Sequence, residues 1–461
     1  MNENRDATDK EPRHIQDVLK VIRDIEDDDA PLDFLFQQLK GRYESLNEQE
    51  KEGLFKAIIE KIEVSKEAIL PVLESLLDCD PHDPRWPSLL SRLRDLARSP
   101  RLNLFRKVSR SPGGLKFLLD FRGDLLVLRR YSTYDLGPLD SDIVFLFEMW
   151  FQEGFLYLEE ITFDSAYKQI ELIKDRDLVH PMASIDEMGQ RLGEDRRCFA
   201  LYHRLMPYEP IVFIEVALTK GLVKNIADIM ASAKGDRKRT KVDTAIFYSI
   251  NNTQNGLAGL GLGKMLIGKV VDYIRKENEE IKNFATLSPV PAFWERYLRP
   301  LLEGKEEKFA LNPKDILSFF PKKTASRILE RGGGGAFDPD RFNAALLSIL
   351  SDEGWAEDED LRKDLHNPLI RIAYHHVSQE KNPQGKPLNP VAAFHLGNGA
   401  SVSQNNVNFL ANPSPRGLKE SCGIMVNYVY TTTWLSQVRR SFRWFDRMEI
   451  KGLFSRRPFR G

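Results

Sequence analysis

Four glycines, Gly256, Gly259, Gly261 and Gly263, fall within eight positions of the stretch NNTQNGLAGLGLGKMLIGKVV, residues 251–271. Glycine has no side chain to hold a ligand off the backbone, so N–H groups in such a turn can approach a phosphate closely. A helix that starts directly after the turn adds the partial positive charge of its N-terminus. Together these make an anion site, and a phosphate ester is the ligand that suits it. The run DTAIFYSI (243–250) before the turn reads as a strand. After it, KMLIGKVVDYIRK places Met265, Leu266, Val270 and Ile274 on one apolar helix face.

Three devices of this kind can be tested against the letters. A Walker A loop needs GxxxxGK followed by Ser or Thr, whereas position 258 is Ala and Met265 follows Gly263-Lys264. A dinucleotide fingerprint GxGxxG fails because Leu266 stands three beyond Gly263, which disfavours NAD. The pyrophosphate loop of acyl-CoA-using N-acetyltransferase-type (GNAT) folds, [RQ]xxGx[GA], is approximated by Gly256-x-x-Gly259-x-Gly261, with Gln254 two places early. A purely structural glycine turn uses the same letters.

The elements that must position this turn come in two rhythms. Up to about residue 150 the chain reads as helices: Val18, Leu19, Ile22 and Ile25 recur at three and four, and Asn47 and Glu50 have capping-box spacing. Pro71, Pro84, Pro87 and Pro100 divide this stretch into short helices, as in a bundle. Beyond Phe151, strand-like runs alternate with helices: RRCFALYH (196–203), PIVFIEVALT (210–219), DTAIFYSI (243–250), KNFATL (282–287) and VAAFHL (391–396). Residues from about 300 to 380 return to helical patterning and read as an insertion between two strands of one sheet, with a turn at RGGGGAFDPD. The tail from about 436 to 461 is basic and interleaved with aromatics, the pattern of a surface extension.

Composition narrows the partners. The 461 residues carry 67 Lys and Arg against 68 Asp and Glu, so no global basic field points to nucleic acid or membrane. Cys79, Cys198 and Cys422 lie far apart without CxxC spacing, which argues against a disulfide framework and a cysteine zinc site. His203 and the pair His375-His376 have no partners at metal-ligand spacing and read as structural or exposed. The polar N-terminus MNENRDATDKEPRH resembles no cleaved address, and VFLFEMWFQEGFLYL is too short and charged to span a bilayer. A soluble, cytoplasmic protein is expected.

Three downstream stretches change the reading: FATLSPVPAFWERYL (284–298), FHLGNGA (394–400) and PRGLKESCGIMVNYVY (415–430). Upstream lies VHPMASIDEMGQRLGEDRRCFALYHRLMPYEPIVFIEVALT (179–219). In this order, through most of residues 150–430, the chain resembles the malonyl-CoA decarboxylase family. The resemblance implies an α + α/β architecture: an N-terminal helical bundle (1–150) used for self-association, then a GNAT-like mixed α/β catalytic domain (151–461) with the helical insertion. It implies loss of the free carboxylate of malonyl-CoA as carbon dioxide and protonation of the thioester enolate to acetyl-CoA, with no metal and no organic cofactor.

Carried over residue by residue, the resemblance makes Ser288 of ATLSP and His395 of FHLGNGA catalytic and substrate-contacting. Malonyl-CoA would be held by Ala258, Gly259, Leu260, Gly261, Leu262, Gly263 and Lys264. His395, expected at a strand end, would donate the proton, and Ser288 would bind the malonyl carboxylate or thioester. Asn427 and Tyr428 are further candidates for hydrogen bonds to the thioester. Cys422 falls inside a motif where no chemistry needs a thiol, and it reads as a small buried residue. An acyl-CoA-dependent N-acyltransferase, or a non-enzymatic acyl-CoA sensor or scaffold, would share the fold and the loop. Homo-oligomerisation through the helical half is expected.

Overall fold

The structure, a computed structural model, describes residues 12–430 apart from 28, 30, 194, 232–240, 306–308 and 336. The basic tail at about 436–461 therefore lies outside the described residues. Between residues 13 and 150 the described residues form eight helices. The first, Arg13–Glu26, buries Val18, Leu19, Ile22 and Ile25 as its spacing predicts. The third, Glu48–Lys61, opens on the expected capping box, with Asn47 Oδ1 accepting from Glu50 N at 3.0 Å and Glu50 Oε2 from Asn47 N at 2.9 Å.

Pro87 and Pro100 stand in the first turn of their helices, where a missing N–H costs nothing. Pro71 differs from expectation. It lies inside the helix Lys66–Leu77, which Ser65 caps by accepting from Ala68 N at 3.2 Å, and its ring sits on the exposed side. The cap fixes the helix start early enough that one lost bond does not end it. Tyr43, Phe55, Phe117 and Phe121 interlock as a ring cluster, with Phe55 and Phe121 centroids 4.8 Å apart.

Two compact units emerge from the packing. One comprises residues 12–159 with Leu201–Val212 and Asn252–Leu262, and the other Glu160–Ala200, Phe213–Asn251 and residues 263–430. The strands among the described residues are β1 (Leu156–Ile161), β2 (Arg196–His203), β3 (Met206–Thr219), β4 (Thr244–Asn252), β5 (Asn283–Thr286), β6 (Ser288–Pro289), β7 (Ala400–Ser401), β8 (Val407–Asn408), β9 (Met425–Val426) and β10 (Val429–Tyr430). Seven form one sheet in the order β1-β2-β3-β4-β5-β10-β7, and β6-β9-β8 form a second.

The β4 and β5 strands run parallel, with Phe247 opposite Thr286, joined by the glycine turn and the helix Leu262–Glu277. A parallel pair needs such a crossover, and strand, turn, helix and strand follow one another in the order the sequence pattern predicts. Alternation sorts the side chains. On one face Phe199 meets Tyr273 at 5.1 Å and Arg275 lies over Phe284, both from the crossover helix. On the other, Tyr248, Ala285 and Leu287 pack with Ile226 and Ile229.

A buried ionic cluster braces this second unit. Arg191 Nη1 donates to Asp177 Oδ2 at 2.7 Å and Glu215 Oε2 at 3.0 Å, while Asp177 Oδ1 accepts from Ser249 and Asn251 of β4. The described residues from Trp294 to Ser378 are mainly helical. The expected strand at 391–396 is instead the helix Pro390–Gly397. Asn389 caps it, accepting from Val391 N and Ala392 N at 3.0 Å, and Pro390 presets the first turn. These signals outweigh the apolar run that reads as β.

Candidate active site

Ser288 follows β5 by two residues and opens β6, where it pairs with Val426 of β9. A strand that changes sheets within two residues turns its side chains sharply, which aims the Ser288 hydroxyl at the C-terminal end of the helix Pro390–Gly397. His395 is in the last turn of that helix, not at a strand end. Its Nε2 lies 3.2 Å from Ser288 Oγ. The helix is tied to the segment after Ser288 by its own cap, since Asn389 Nδ2 donates to Pro291 O at 3.3 Å.

The pair belongs to a longer chain of hydrogen bonds. Ser288 Oγ is 2.9 Å from Thr286 Oγ1, which lies 3.5 Å from Val426 O and accepts from Tyr428 N at 3.1 Å. On the other side of the imidazole, Nδ1 lies 2.9 Å from the Tyr430 hydroxyl. The terminal carbonyl of Val426 can only accept, and this sets a direction along the chain. Thr286 donates to Val426, Ser288 to Thr286, His395 Nε2–H to Ser288, and Tyr430 O–H to Nδ1. That order leaves a neutral imidazole with its proton on Nε2.

Burial agrees. His395 is 4% exposed, and removal from water pushes its pKa down to about 3, so it is uncharged at neutral pH before substrate arrives. Burial also pushes the phenols of Tyr428 and Tyr430 up, which keeps both as hydrogen-bond donors. Tyr428 stacks on the imidazole at 4.8 Å and 24°, and its buried hydroxyl has no hydrogen-bond partner among the described residues. Asn427 is used otherwise. Its Nδ2 donates to Thr286 O at 2.6 Å and Val223 O at 3.1 Å, and its Oδ1 accepts from Asn408 Nδ2 at 2.8 Å. With donors and acceptor engaged by protein, Asn427 braces β5 and offers nothing to a thioester.

In the glycine turn, Gly259 and Gly261 have φ of +87° and +69°, the left-handed region that side chains disfavour. Gly263 has a different reason. A Cβ there would meet the Phe394 ring at 2.6 Å, so the crossover helix lies directly on the neighbour of His395. Leu262 is buried and Lys264 exposed.

Sequence reasoning missed Thr286 and Tyr430. The first ends β5 two residues before Ser288 and the second closes the NYVY motif, so a polar residue next to each quoted motif residue was the available signal. His203 is structural as expected, with Nε2 3.0 Å from Trp150 O. His376 is buried against Phe293 and Tyr297, while His375 is half-buried with Nδ1 3.4 Å from Glu380. All three cysteines are free and buried, Cys422 included. Among the described residues no three His, Cys, Asp or Glu side chains gather as metal ligands. None of the described helices is long and apolar enough to cross a membrane.

Comparison with known proteins adds relatives to this geometry. Residues 154–445 match the malonyl-CoA decarboxylase C-terminal domain, and residues 64–151 match the malonyl-CoA decarboxylase N-terminal domain. The mitochondrial malonyl-CoA decarboxylase of Anser anser anser is 35% identical over 333 residues, 71% of this chain and 63% of that protein. Among solved structures, malonyl-CoA decarboxylase from Rhodopseudomonas palustris superposes with a TM-score of 0.75 at 29% identity, covering 95% of this chain and 97% of that one. The Agrobacterium vitis protein of the same name gives 0.73 at 28%, covering 93% and 95%.

Proposed function

The chain belongs to the malonyl-CoA decarboxylase family, and we propose that it converts malonyl-CoA to acetyl-CoA and carbon dioxide, with Ser288 and His395 at the reacting group. The observation that carries this reading is the buried 3.2 Å contact between Ser288 Oγ and His395 Nε2, which joins two residues 107 positions apart. The site fits the reaction's needs. Turning the malonyl carboxylate out of the thioester plane lets the breaking C–C bond overlap the carbonyl π system. A carboxylate in so dry a place is disfavoured relative to neutral carbon dioxide.

As the bond breaks, its electron pair enters the thioester and forms an enolate. With substrate bound, the Ser288 hydroxyl can turn from Thr286 to the enolate oxygen, and the Tyr428 hydroxyl, without a hydrogen-bond partner among the described residues, is a second donor. Negative charge beside His395 raises its proton affinity against the effect of burial, and Nε2 delivers the proton to the α-carbon. One proton is consumed per turnover and is replaced from water. The glycine turn, residues 258–264, takes the CoA diphosphate. No metal or organic cofactor enters this scheme.

In the same reading residues 1–150 mediate self-association, residues 151–461 carry catalysis, and the protein works in the cytoplasm without nucleic acid or membrane partners. The test is incubation with malonyl-CoA, following acetyl-CoA and carbon dioxide, beside His395→Asn and Ser288→Ala. In D2O the acetyl product gains one deuterium. Losses of about 10²- to 10⁴-fold in kcat are expected in the variants, with folding intact. Binding of acyl-CoA without carbon dioxide release by the wild type would refute the assignment.

A further inference from the structure

The glycine turn is not held by its own strand and helix alone. Residues Asn252–Leu262 pack as one compact unit with the N-terminal helices, and Asn255–Leu257 contacts the helix Gly114–Leu128 there. A Cβ on Gly256 would lie 2.0 Å from the carbonyl oxygen of Leu119, so the turn rests on the helix backbone itself. Gly123 makes the reciprocal approach, its Cβ position lying 3.6 Å from the Asn255 side chain.

Between them lies Arg122, only 4% exposed. Its Nη1 donates to the carbonyl oxygens of both Gly256 and Ala258, the latter at 3.1 Å. Its Nε donates to Asp140 Oδ1 at 2.7 Å, and the other oxygen of Asp140 accepts from Arg129 Nη1 at 2.9 Å. A buried guanidinium needs all these acceptors, so its place is closely fixed.

We propose that Arg122 is a positioning residue for CoA: by gripping the Gly256 and Ala258 carbonyls it sets the peptide planes of the turn that receives the CoA diphosphate. The physics is direct. In a trans peptide the N–H points opposite to the C=O, and every peptide bond here is trans. Anchoring the Ala258 oxygen on Arg122 therefore turns the Gly259 N–H the other way, toward the open side of the turn. A cation on the carbonyl also polarises the peptide and makes that N–H a stronger donor. The helical half of the chain thus takes part in binding substrate as well as in any self-association. The inference rests on the reading of residues 258–264 as the diphosphate site.

The experiment compares malonyl-CoA with malonyl-pantetheine, which carries the same thioester without the diphosphate and nucleotide. Steady-state kcat and KM are measured on the wild type, Arg122→Met and Arg122→Lys. Wild type should prefer malonyl-CoA strongly. In Arg122→Met the KM for malonyl-CoA should rise by roughly 10- to 100-fold, with far smaller changes in kcat and in malonyl-pantetheine turnover. Arg122→Lys keeps the charge and one bond to Asp140 but cannot span both carbonyls, and it should lose part of the preference with a melting temperature near wild type.

Equal losses on both substrates, or an undiminished preference in both variants, would overturn the role of Arg122 while leaving the diphosphate site standing. A wild type that shows no preference would overturn the site itself and the inference with it.

Discussion

Tyr430 holds the imidazole of His395 from behind: its hydroxyl is 2.9 Å from Nδ1 while Nε2 faces Ser288 at 3.2 Å. A phenol that burial keeps protonated can donate to Nδ1, and with Ser288 donating to Thr286 this fits the tautomer that carries its proton on Nε2, the nitrogen that faces Ser288. Replacing Tyr430 by Phe should lower kcat by about tenfold, the worth of one ordinary hydrogen bond, and leave KM for malonyl-CoA nearly unchanged. In a His395→Asn background the same change should cost almost nothing. Additive losses in the double variant would show that Tyr430 does not act through the imidazole.

Two glycines of the turn should fail in different ways. Gly261→Ala has open space around its Cβ but a φ of +69°, so it should cost about 1–2 kcal/mol of backbone strain and raise KM for malonyl-CoA. Gly263→Ala pushes instead on the Phe394 ring, beside His395, and should lower kcat with the smaller effect on KM. Kinetics of the pair distinguish the two, and identical kinetic profiles would contradict the assignment.

His376 accepts weakly from Asn389 Nδ2 at 3.5 Å, and burial pushes its pKa down from 6.5 to about 3. Its folded state refuses a proton that the unfolded chain accepts below pH 6.5. Stability should therefore fall as pH drops from about 6.5 toward 3, by up to about 1.4 kcal/mol per pH unit from this residue. Above pH 6.5 the contribution is flat. Denaturant melts of wild type and His376→Gln from pH 7 to 4.5 isolate the effect, with the variant losing less stability on acidification.

In the buried cluster, Arg191 faces two carboxylates, and burial has pushed Glu215 up to about 8. Arg191→Met should destabilise by about 3–5 kcal/mol because it strands Asp177 without a counter-charge. Glu215→Gln, which mimics a carboxyl that holds its proton at neutral pH, should be far milder. Equal destabilisation by both in urea melts would assign the full charge to Glu215.

Strands β2 to β5 and the helical first half were legible because each element carries its own period and punctuation: the run 196–203 is β2, and the Asn47 capping box begins its helix as read. The pairing of Ser288 with His395 was legible only through motif resemblance, since a serine before proline and a lone histidine carry no local signal. The helix at 390–397 was misread because a short apolar run has no decisive period, and Asn389 with Pro390 decides it. Arg122 left no trace in the sequence at all. Its partners are backbone carbonyls 134 and 136 positions away, and a carbonyl has no letter.

The hydrogen-bond chain through His395 has a consequence for the birth of the protein. Tyr430 lies 35 residues beyond His395, and β10 is the strand that fits between β5 and β7 in the sheet. Helices near the N-terminus can settle while the ribosome is still at work, but the hydrogen-bond chain through His395 cannot. A nascent polypeptide halted anywhere before residue 430 lacks the phenol that orients the histidine. A truncated product with a well-folded first half would lack that hydrogen bond and the strand that carries it, and its turnover should fall at least as far as that of Tyr430→Phe.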